Sequence, residues 1–145
     1  MFRGQFEHSI DAKGRTSLPA RFREILAARG SDRLVVTADI EPCLLAFPLD
    51  HWQEFEAKLA ALPRLDHRVK LVKRVYIGNA HEVSVDSAGR ILIPPPLREH
   101  ASLGKEAVFA GQIEHVEIWS RASWQKTRDQ VSSEEFQQAL DGLGI

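Results

Sequence analysis

The sequence predicts an α+β fold made of two similar half-chains related by pseudo-two-fold symmetry, with helices flanking the strands. The main observation is an internal repeat: residues 7–24 recur as residues 82–99 at a constant offset of 75, and eight of the eighteen aligned positions are identical. A second observation is that strand-like and helix-like segments follow in the same order in both halves. A repeat of this kind indicates that one structural unit is used twice.

Both copies of the repeat keep the motif Asp-x-x-Gly-Arg. The identical positions are Glu7/Glu82, Ser9/Ser84, Asp11/Asp86, Gly14/Gly89, Arg15/Arg90, Pro19/Pro94, Arg23/Arg98 and Glu24/Glu99. A doubled arginine on a doubled turn suits the recognition of a periodic polymer better than it suits a single catalytic centre.

The first elements of the chain predict a hairpin followed by a helix. Residues 6–10 are typical of a short strand, and residues 15–18 of the strand that returns beside it. Asp11 and Gly14 lie between them, and they favour a tight turn because Asp accepts hydrogen bonds from nearby backbone N–H groups and Gly adopts a positive φ. A proline-led helix is predicted over residues 20–28.

The rest of the first half predicts two strands and two helices. Branched and apolar residues predict strands at 33–38 and 43–47. Asp50 stands where an N-cap belongs, before apolar residues at helical spacing that continue to Leu62. Residues 66–76 predict an amphipathic helix whose outer face is basic.

The second half repeats this order and ends in an acidic tail. We expect a hairpin at 82–93, a short helix to residue 101, strands at 106–110 and 116–119, and a helix from Arg121. The tail has four acidic residues and no basic one and predicts a loose helix. The predicted boundaries are a first module at 1–62, a connecting helix and linker at 63–80, a second module at 81–128 and the tail at 129–145.

Composition and charge limit the class of protein. With 43% hydrophobic and 27% charged residues, the chain has the composition of a soluble globular protein. It has no apolar run of the roughly 20 residues that span a bilayer, and its first residues lack the apolar region of a signal peptide. The single cysteine, Cys43, fits a reducing compartment. We therefore expect a cytoplasmic protein that does not contact membranes.

The charges are segregated along the chain although the net charge is only −1. Residues 1–30 contain six basic and three acidic side chains, and residues 64–74 contain five basic and one acidic. Such segregation is compatible with a basic surface for nucleic acid. The alternative is that these segments are simply solvated faces.

The sequence does not point to catalysis. The six histidines lack metal-ligand spacing, and Cys43 stands in an apolar run, as a buried and unreactive thiol does. Neither a Walker-type glycine loop nor a Gly-x-Ser-x-Gly motif is present. We expect no enzyme activity, no metal, no cofactor and no small-molecule substrate.

Several segments resemble one known family. They are the opening Met1-Phe-Arg-Gly4, the first repeat Asp11-Ala-Lys-Gly-Arg15 with Leu18-Pro19, the second repeat Asp86-Ser-Ala-Gly-Arg90 with Ile93-Pro94, and the segments Pro42-Cys-Leu-Leu45 and Gly78-Asn-Ala-His81. Together they resemble the MraZ family of bacterial transcription regulators, from residue 1 to about residue 128. The acidic tail is outside this resemblance.

The resemblance implies a fold and a function. The fold is a pair of tandem AbrB-like (SpoVT–AbrB) β-barrel halves of the swapped-hairpin or double-psi type. The function is sequence-specific binding of short direct repeats in the promoter of the division and cell-wall gene cluster, usually with repression that includes the protein's own gene. Members assemble into rings of several subunits and associate with the nucleoid.

The resemblance also implies which residues read DNA. The DNA-reading arginine of the family falls on Arg15 in the first repeat and on Arg90 in the second. The second repeat departs from the first because Ala88 replaces Lys13 and a proline replaces Arg21. The second hairpin is therefore less basic, and its contribution to binding need not equal that of the first.

The residues themselves predict a mechanism of DNA binding. A protruding two-stranded ribbon can enter the major groove, where Arg15 or Arg90 could bond to O6 and N7 of a guanine. Lys13, Arg3 and Arg21 are better suited to phosphates, which add affinity without reading sequence. A head-to-tail ring presents its readers in the same sense, which suits direct repeats.

Two alternatives remain at this stage. We expect Asp11 and Asp86 to orient the turn or the arginine, but the simpler interpretation is that Asp11 only caps its turn and that Arg15 pairs with a carboxylate. For the whole chain, the alternative is an AbrB-type antitoxin-like module whose partner is a protein toxin.

Overall fold

The order of secondary-structure elements is the same in both halves of the chain. A computed structural model describes all residues from 1 to 145. The strands are β1 Gln5–Ser9, β2 Arg15–Ser17, β3 Arg33–Ala38, β4 Cys43–Pro48, β5 His81–Ser84, β6 Arg90–Leu92, β7 Glu106–Gly111 and β8 Val116–Ser120. The helices are α1 Ala20–Ala28, α2 Leu49–Ala60, α3 His67–Val72, α4 Pro95–His100, α5 Arg121–Asp129 and α6 Ser133–Leu143. The predicted α+β fold with two similar halves is confirmed.

The two halves exchange strands. A six-stranded antiparallel sheet has the order β1-β7-β8-β4-β3-β5, and a separate two-stranded sheet is formed by β2 and β6. The first strand of each half pairs with the third strand of the other half, because β1 lies beside β7 and β5 lies beside β3. The halves are therefore intertwined and share one body.

The two predicted hairpins are wrong in their pairing. β1 and β2 are linked only by an isolated bridge between Ile10 and Thr16, and by a hydrogen bond from the Asp11 N–H to the Arg15 carbonyl (2.9 Å). β2 instead pairs along its length with β6 of the other half. The alternation of buried and exposed residues in a strand is the same for a near and a distant partner, so the sequence pattern could not distinguish them.

The turn segments close the sheets into a barrel-like body. β1 and β5 are the two edges of the large sheet, and each continues through an Asp-x-x-Gly-Arg turn into the small sheet. Because β2 and β6 pair with one another, the small sheet joins the chain segments that leave the two edges of the large sheet. The strands therefore follow one another around the body in a closed circuit.

The core lies inside this circuit and draws on both halves. Nineteen buried residues form one apolar cluster. Phe22 of α1 is fully buried and packs edge-to-face on Phe2 and Phe6, with ring centroids 5.4 and 5.3 Å away. Leu97 of α4, which follows Phe22 by the repeat offset, is buried in the same cluster. The two short helices thus cover equivalent places of the core.

Three helices differ in detail from the sequence prediction. Asp50 is not an N-cap, because α2 begins at Leu49 without a side-chain cap, and Asp50 pairs with Arg29 (3.1 Å) instead. α3 is capped by Asp66 and continues into a π-helical turn, Lys73–Ile77. The tail forms a regular helix, α6. No helix of the protein combines the length and the apolar character that crossing a bilayer requires.

We predict that Phe22→Ala lowers the free energy of unfolding by about 3–5 kcal/mol, because it removes a fully buried ring and leaves a cavity. Denaturant unfolding at a fixed protein concentration measures the effect. The control is Ile40→Ala, whose side chain is 77% exposed and whose loss should change stability by less than about 0.5 kcal/mol. Equal effects of the two substitutions would contradict this description of the core.

Candidate nucleic-acid interface

The small sheet places both motif arginines on one exposed face. In its register Arg15 is opposite Leu92, and Ser17 is opposite Arg90. These four side chains share a face because directly opposed residues of an antiparallel pair point the same way. Thr16 and Ile91 alternate with them and are buried.

The two arginines are close neighbours on this face. Arg15 and Arg90 are diagonal partners across β2 and β6, a relation that puts their Cα atoms roughly 7–8 Å apart and their Cβ atoms somewhat closer. Leu92, which is 53% exposed, and the half-exposed Ser17 complete the face. We call the face made by Arg15, Ser17, Arg90 and Leu92 the arginine face. The sequence predicted a separate hairpin in each half, whereas the structure has one composite surface.

The first turn is organised by its aspartate. Oδ1 of Asp11 accepts hydrogen bonds from the backbone N–H groups of Lys13 (3.0 Å) and Arg15 (2.9 Å). The N–H of Gly14 donates to the Asp11 carbonyl (3.0 Å), and Gly14 has a φ of +89°. That conformation is readily reached only by glycine.

The second turn has the same geometry. Oδ1 of Asp86 accepts from the N–H groups of Ala88 and Arg90, both at 2.9 Å, and Gly89 has a φ of +76°. The backbone N–H of each motif arginine lowers the pKa of the aspartate that accepts from it, Asp11 in one turn and Asp86 in the other. Both carboxylates are therefore ionised at neutral pH.

Each aspartate also holds the side chain of its arginine. Nε of Arg15 donates to Oδ2 of Asp11 (2.7 Å), and Nε of Arg90 donates to Oδ2 of Asp86 (3.2 Å). The arginine side chains remain 37% and 38% exposed. Their terminal Nη groups have no partner within the protein, so each guanidinium is fixed along one edge and free at the other.

The second half holds the first turn in place, and the first half holds the second. The carbonyl of Gly14 accepts from the N–H of Ile93 (3.0 Å), and the carbonyl of Gly89 accepts from the N–H of Leu18 (2.9 Å). The side chain of Arg98 lies against Gly14, where a Cβ atom would stand 2.6 Å from its Cζ. Arg23, the equivalent of Arg98 in the first half, lies in the same way against Gly89.

Sequence reasoning missed Arg23 and Arg98 as part of this region. The signal was present, because this pair is identical in the two repeats. With Arg15 and Arg90 they bring four guanidinium groups to the two turns, where Asp11 and Asp86 supply the only carboxylates in hydrogen-bond contact with them. The region is therefore positively charged although the chain as a whole is not.

The three predicted phosphate contacts lie at different distances from the arginine face. Lys13 is exposed in the first turn and forms no ion pair, and Arg21 stands in the first turn of α1, 3.8 Å from Glu24. Arg3 precedes β1 whereas Asp11 follows it, so a strand about 17 Å long separates Arg3 from the turn. The structure thus places Lys13 in the turn that precedes Arg15, Arg21 on α1, and Arg3 at the opposite end of β1.

One cluster has the composition of a metal site. Asp39, Cys43 and Glu117 each have a ligand-type atom within 4.8 Å of the other two. Burial raises the pKa of the Cys43 thiol and of the Glu117 carboxyl, and the thiol donates to Asp39 (3.7 Å), as does the Tyr76 hydroxyl (3.2 Å). A metal would bind the thiolate rather than the thiol, so binding here would have to displace the thiol proton and these hydrogen bonds.

Comparison with known proteins gives one family. Its model, described as "MraZ protein, putative antitoxin-like", matches residues 1–75 and again residues 76–142. A protein of Shewanella sediminis named transcriptional regulator MraZ is 43% identical over 141 residues, which are 94% of this chain and 93% of that protein. Proteins of the same name from Azotobacter vinelandii and Pseudomonas putida are 48% and 45% identical over 125 residues, 86% of this chain and 82% and 83% of theirs.

We predict that Gly89→Ala lowers the free energy of unfolding by about 1–2 kcal/mol, because alanine is strained at this positive φ and its Cβ atom would displace the Arg23 side chain. Denaturant unfolding at equal protein concentration measures the loss. Gly104→Ala is the matched control, since its Cβ would meet no atom within 4 Å. The role given to the turn is wrong if both alanine variants unfold at the same denaturant concentration.

Proposed function

The chain belongs to the MraZ family, and from this premise we propose that it is a sequence-specific DNA-binding transcription regulator. We propose further that it represses its own operon in the division and cell-wall gene cluster by binding short direct repeats, and that it acts in the cytoplasm at the nucleoid. The observation that carries the proposal is the pair of outward guanidinium groups, Arg15 and Arg90, on one small sheet.

The shape of the small sheet supports insertion into DNA. A two-stranded ribbon fits the major groove of B-DNA, and the arginine face is the exposed side of such a ribbon. Two cations on neighbouring strands can reach base edges within the same stretch of groove. One chain would therefore contact a shorter stretch of DNA sequence than two separate hairpins would.

The aspartates support base reading by positioning the arginines. Asp11 engages Nε of Arg15, and Asp86 engages Nε of Arg90, so the two Nη groups of each side chain are left for a ligand. Paired donors of an arginine match O6 and N7 of guanine, a contact that discriminates by about 1–3 kcal/mol. A side chain that is held before binding loses less conformational entropy when the contact forms.

Phosphate contacts would add affinity around this face. Lys13 is exposed and unpaired in the first turn, and Arg21 lies at the start of α1. Arg3 would reach a phosphate only farther along the duplex, because it lies at the other end of β1. The second turn has Ala88 in the place of Lys13, so the first turn should contribute more of the electrostatic binding.

Assembly would raise the affinity further. A single copy with a few phosphate contacts binds weakly at physiological salt, whereas linked copies raise one another's effective concentration on DNA. We propose a homo-oligomeric ring with a head-to-tail arrangement, because this repeats the arginine face in one sense, as direct repeats require.

A second candidate function follows from the description of the family as antitoxin-like. In that case the chain would bind a protein toxin as well as DNA. Gel filtration of the purified chain separates the two: a discrete multi-subunit peak without any partner favours the regulator, and assembly that depends on a second protein favours the antitoxin.

We predict that Arg15→Ala and Arg90→Ala each weaken binding to the promoter repeats by about 1–3 kcal/mol, relative to binding of unrelated DNA. The double substitution should remove sequence preference. Titration of labelled duplexes at fixed salt, with the oligomeric state of each variant determined, measures both affinities.

Lys126→Ala is the matched control for these arginine variants. Its side chain is exposed on α5 and forms no ion pair, and α5 packs on the large sheet rather than on the small one. The variant should bind as the wild type does. A double variant of Arg15 and Arg90 that kept its sequence preference would refute the proposed mechanism.

We predict a different result for Lys13→Ala. Because a phosphate contact is insensitive to sequence, this substitution should weaken binding to all duplexes alike and reduce the slope of log K against log salt by about 1. Repeating the titration over a range of salt concentrations measures the slope. An unchanged slope would exclude Lys13 as a phosphate contact.

A further inference from the structure

Large apolar side chains that face solvent are concentrated in two segments outside the arginine face. Eleven are exposed in the whole chain, and seven of these lie within residues 62–71 or 131–145. The seven are Leu62, Leu65, Leu71, Val131, Phe136, Leu143 and Ile145. Scattered apolar residues are normal on a surface, but clustered ones mark sites of interaction.

The first segment borders an open apolar groove. The groove lies where α2 ends and α3 begins, and its apolar lining is Leu59, Leu62, Pro63, Val69 and Val72. Its volume of about 430 Å³ is in the range of pockets that bury drug-sized ligands, so it has room for more than one side chain.

The second segment contains a helix without a partner. Phe136, Leu140 and Leu143 follow one another at helical spacing and form an apolar stripe along α6, yet no residue of α6 is buried. The helix is nevertheless well started, because the Ser132 side chain accepts from the N–H of Glu135 (3.1 Å) and acidic residues occupy the first turn. α6 therefore presents a formed apolar stripe to solvent.

The charges around the two segments are opposite and unpaired. Near the groove, four basic side chains lack a carboxylate within ion-pairing distance: Arg64, Lys70, Lys73 and Arg74. Around α6, four acidic side chains lack a basic partner: Asp129, Glu134, Glu135 and Asp141. Complementary surfaces of this kind attract each other and fix their orientation.

The internal repeat relates these two surfaces. α5 occupies the place in the second half that α2 has in the first, since Trp119 and Trp124 repeat Phe47 and Trp52 at an offset of 72. α6 then follows α5 as α3 follows α2. The first half thus ends in a basic second helix, α3 with its π-helical turn, beside a groove, and the second half ends in an acidic second helix, α6, with a free stripe.

We propose that the apolar stripe of α6 docks into the α2–α3 groove of a second copy of this chain. Because the groove and the helix are different surfaces, the contact is head-to-tail. Each added copy leaves one groove and one helix free at the ends of the assembly, and copies are added until these two ends meet and close a ring. The proposal identifies the surfaces that build the ring proposed above and rests on that assembly.

Two substitutions block the two sides of this contact separately. Leu62→Asp places a carboxylate in the groove, and Phe136→Asp places one in the stripe; both should prevent docking because a charge in an apolar contact is strongly unfavourable. Both side chains are at least half exposed (51% and 60%), so the fold should be retained. Ile40→Asp is the control, since Ile40 is exposed but lies in neither segment.

Sedimentation equilibrium of the full-length chain tests the proposal. We expect the wild type and Ile40→Asp to be multi-subunit, and each blocked variant alone to have the single-chain mass of 16.3 kDa. An equimolar mixture of the two blocked variants should form a species of twice that mass and no larger one. In this species the intact helix of the Leu62→Asp copy occupies the intact groove of the Phe136→Asp copy, and the other two ends are blocked.

The other outcomes separate this inference from the proposed assembly. Blocked variants that keep the wild-type mass would refute the α6 contact while leaving the ring in place. Blocked variants that dissociate but do not combine on mixing would also refute it, because a head-to-tail contact must be restored between them. A wild type with the mass of a single chain would refute both the ring and this inference.

Discussion

The pairing of β2 with β6 is the interaction on which the rest of this structure depends. Each strand has only three residues, and an isolated two-stranded pair of that length is marginal in water. It forms here because Thr16 and Ile91 turn into the core while the flanking turns are bonded to the opposite half. The same pairing closes the barrel-like body and sets Arg15 beside Arg90.

This arrangement makes the arginine face a product of both halves. Neither half forms the face alone. The glycine of each turn is covered by an arginine of the other half, and its carbonyl accepts a hydrogen bond from the backbone of the other half. Positions held from both sides are rigid, and rigid positioning is what base reading by arginine requires. Disturbing one turn should therefore affect both arginines.

The intertwined halves also explain why one repeat carries two kinds of surface. The repeated turns have been kept alike, and they converge on one face. The helices α3 and α6, which end the two halves, have diverged in charge, and we propose that they make contacts between copies rather than with DNA. A chain with one shared arginine face and two unlike lateral surfaces can repeat that face in a single direction.

Much of this architecture could be predicted from local patterns of residues. The repeat, the strand and helix positions and the turn chemistry of Asp11 and Gly14 depend on neighbours in sequence, and the structure has them close to where they were expected. The partners of β2 and β6 could not be predicted, because alternation specifies which side of a strand is buried and not which strand lies beside it.

The sequence by itself thus determined the two motif arginines and the pseudo-symmetry. Only the tertiary structure decided that Arg15 and Arg90 share one face, that Arg3 lies away from it, and that Arg23 and Arg98 support the turns, because these relations arise from long-range packing between the halves.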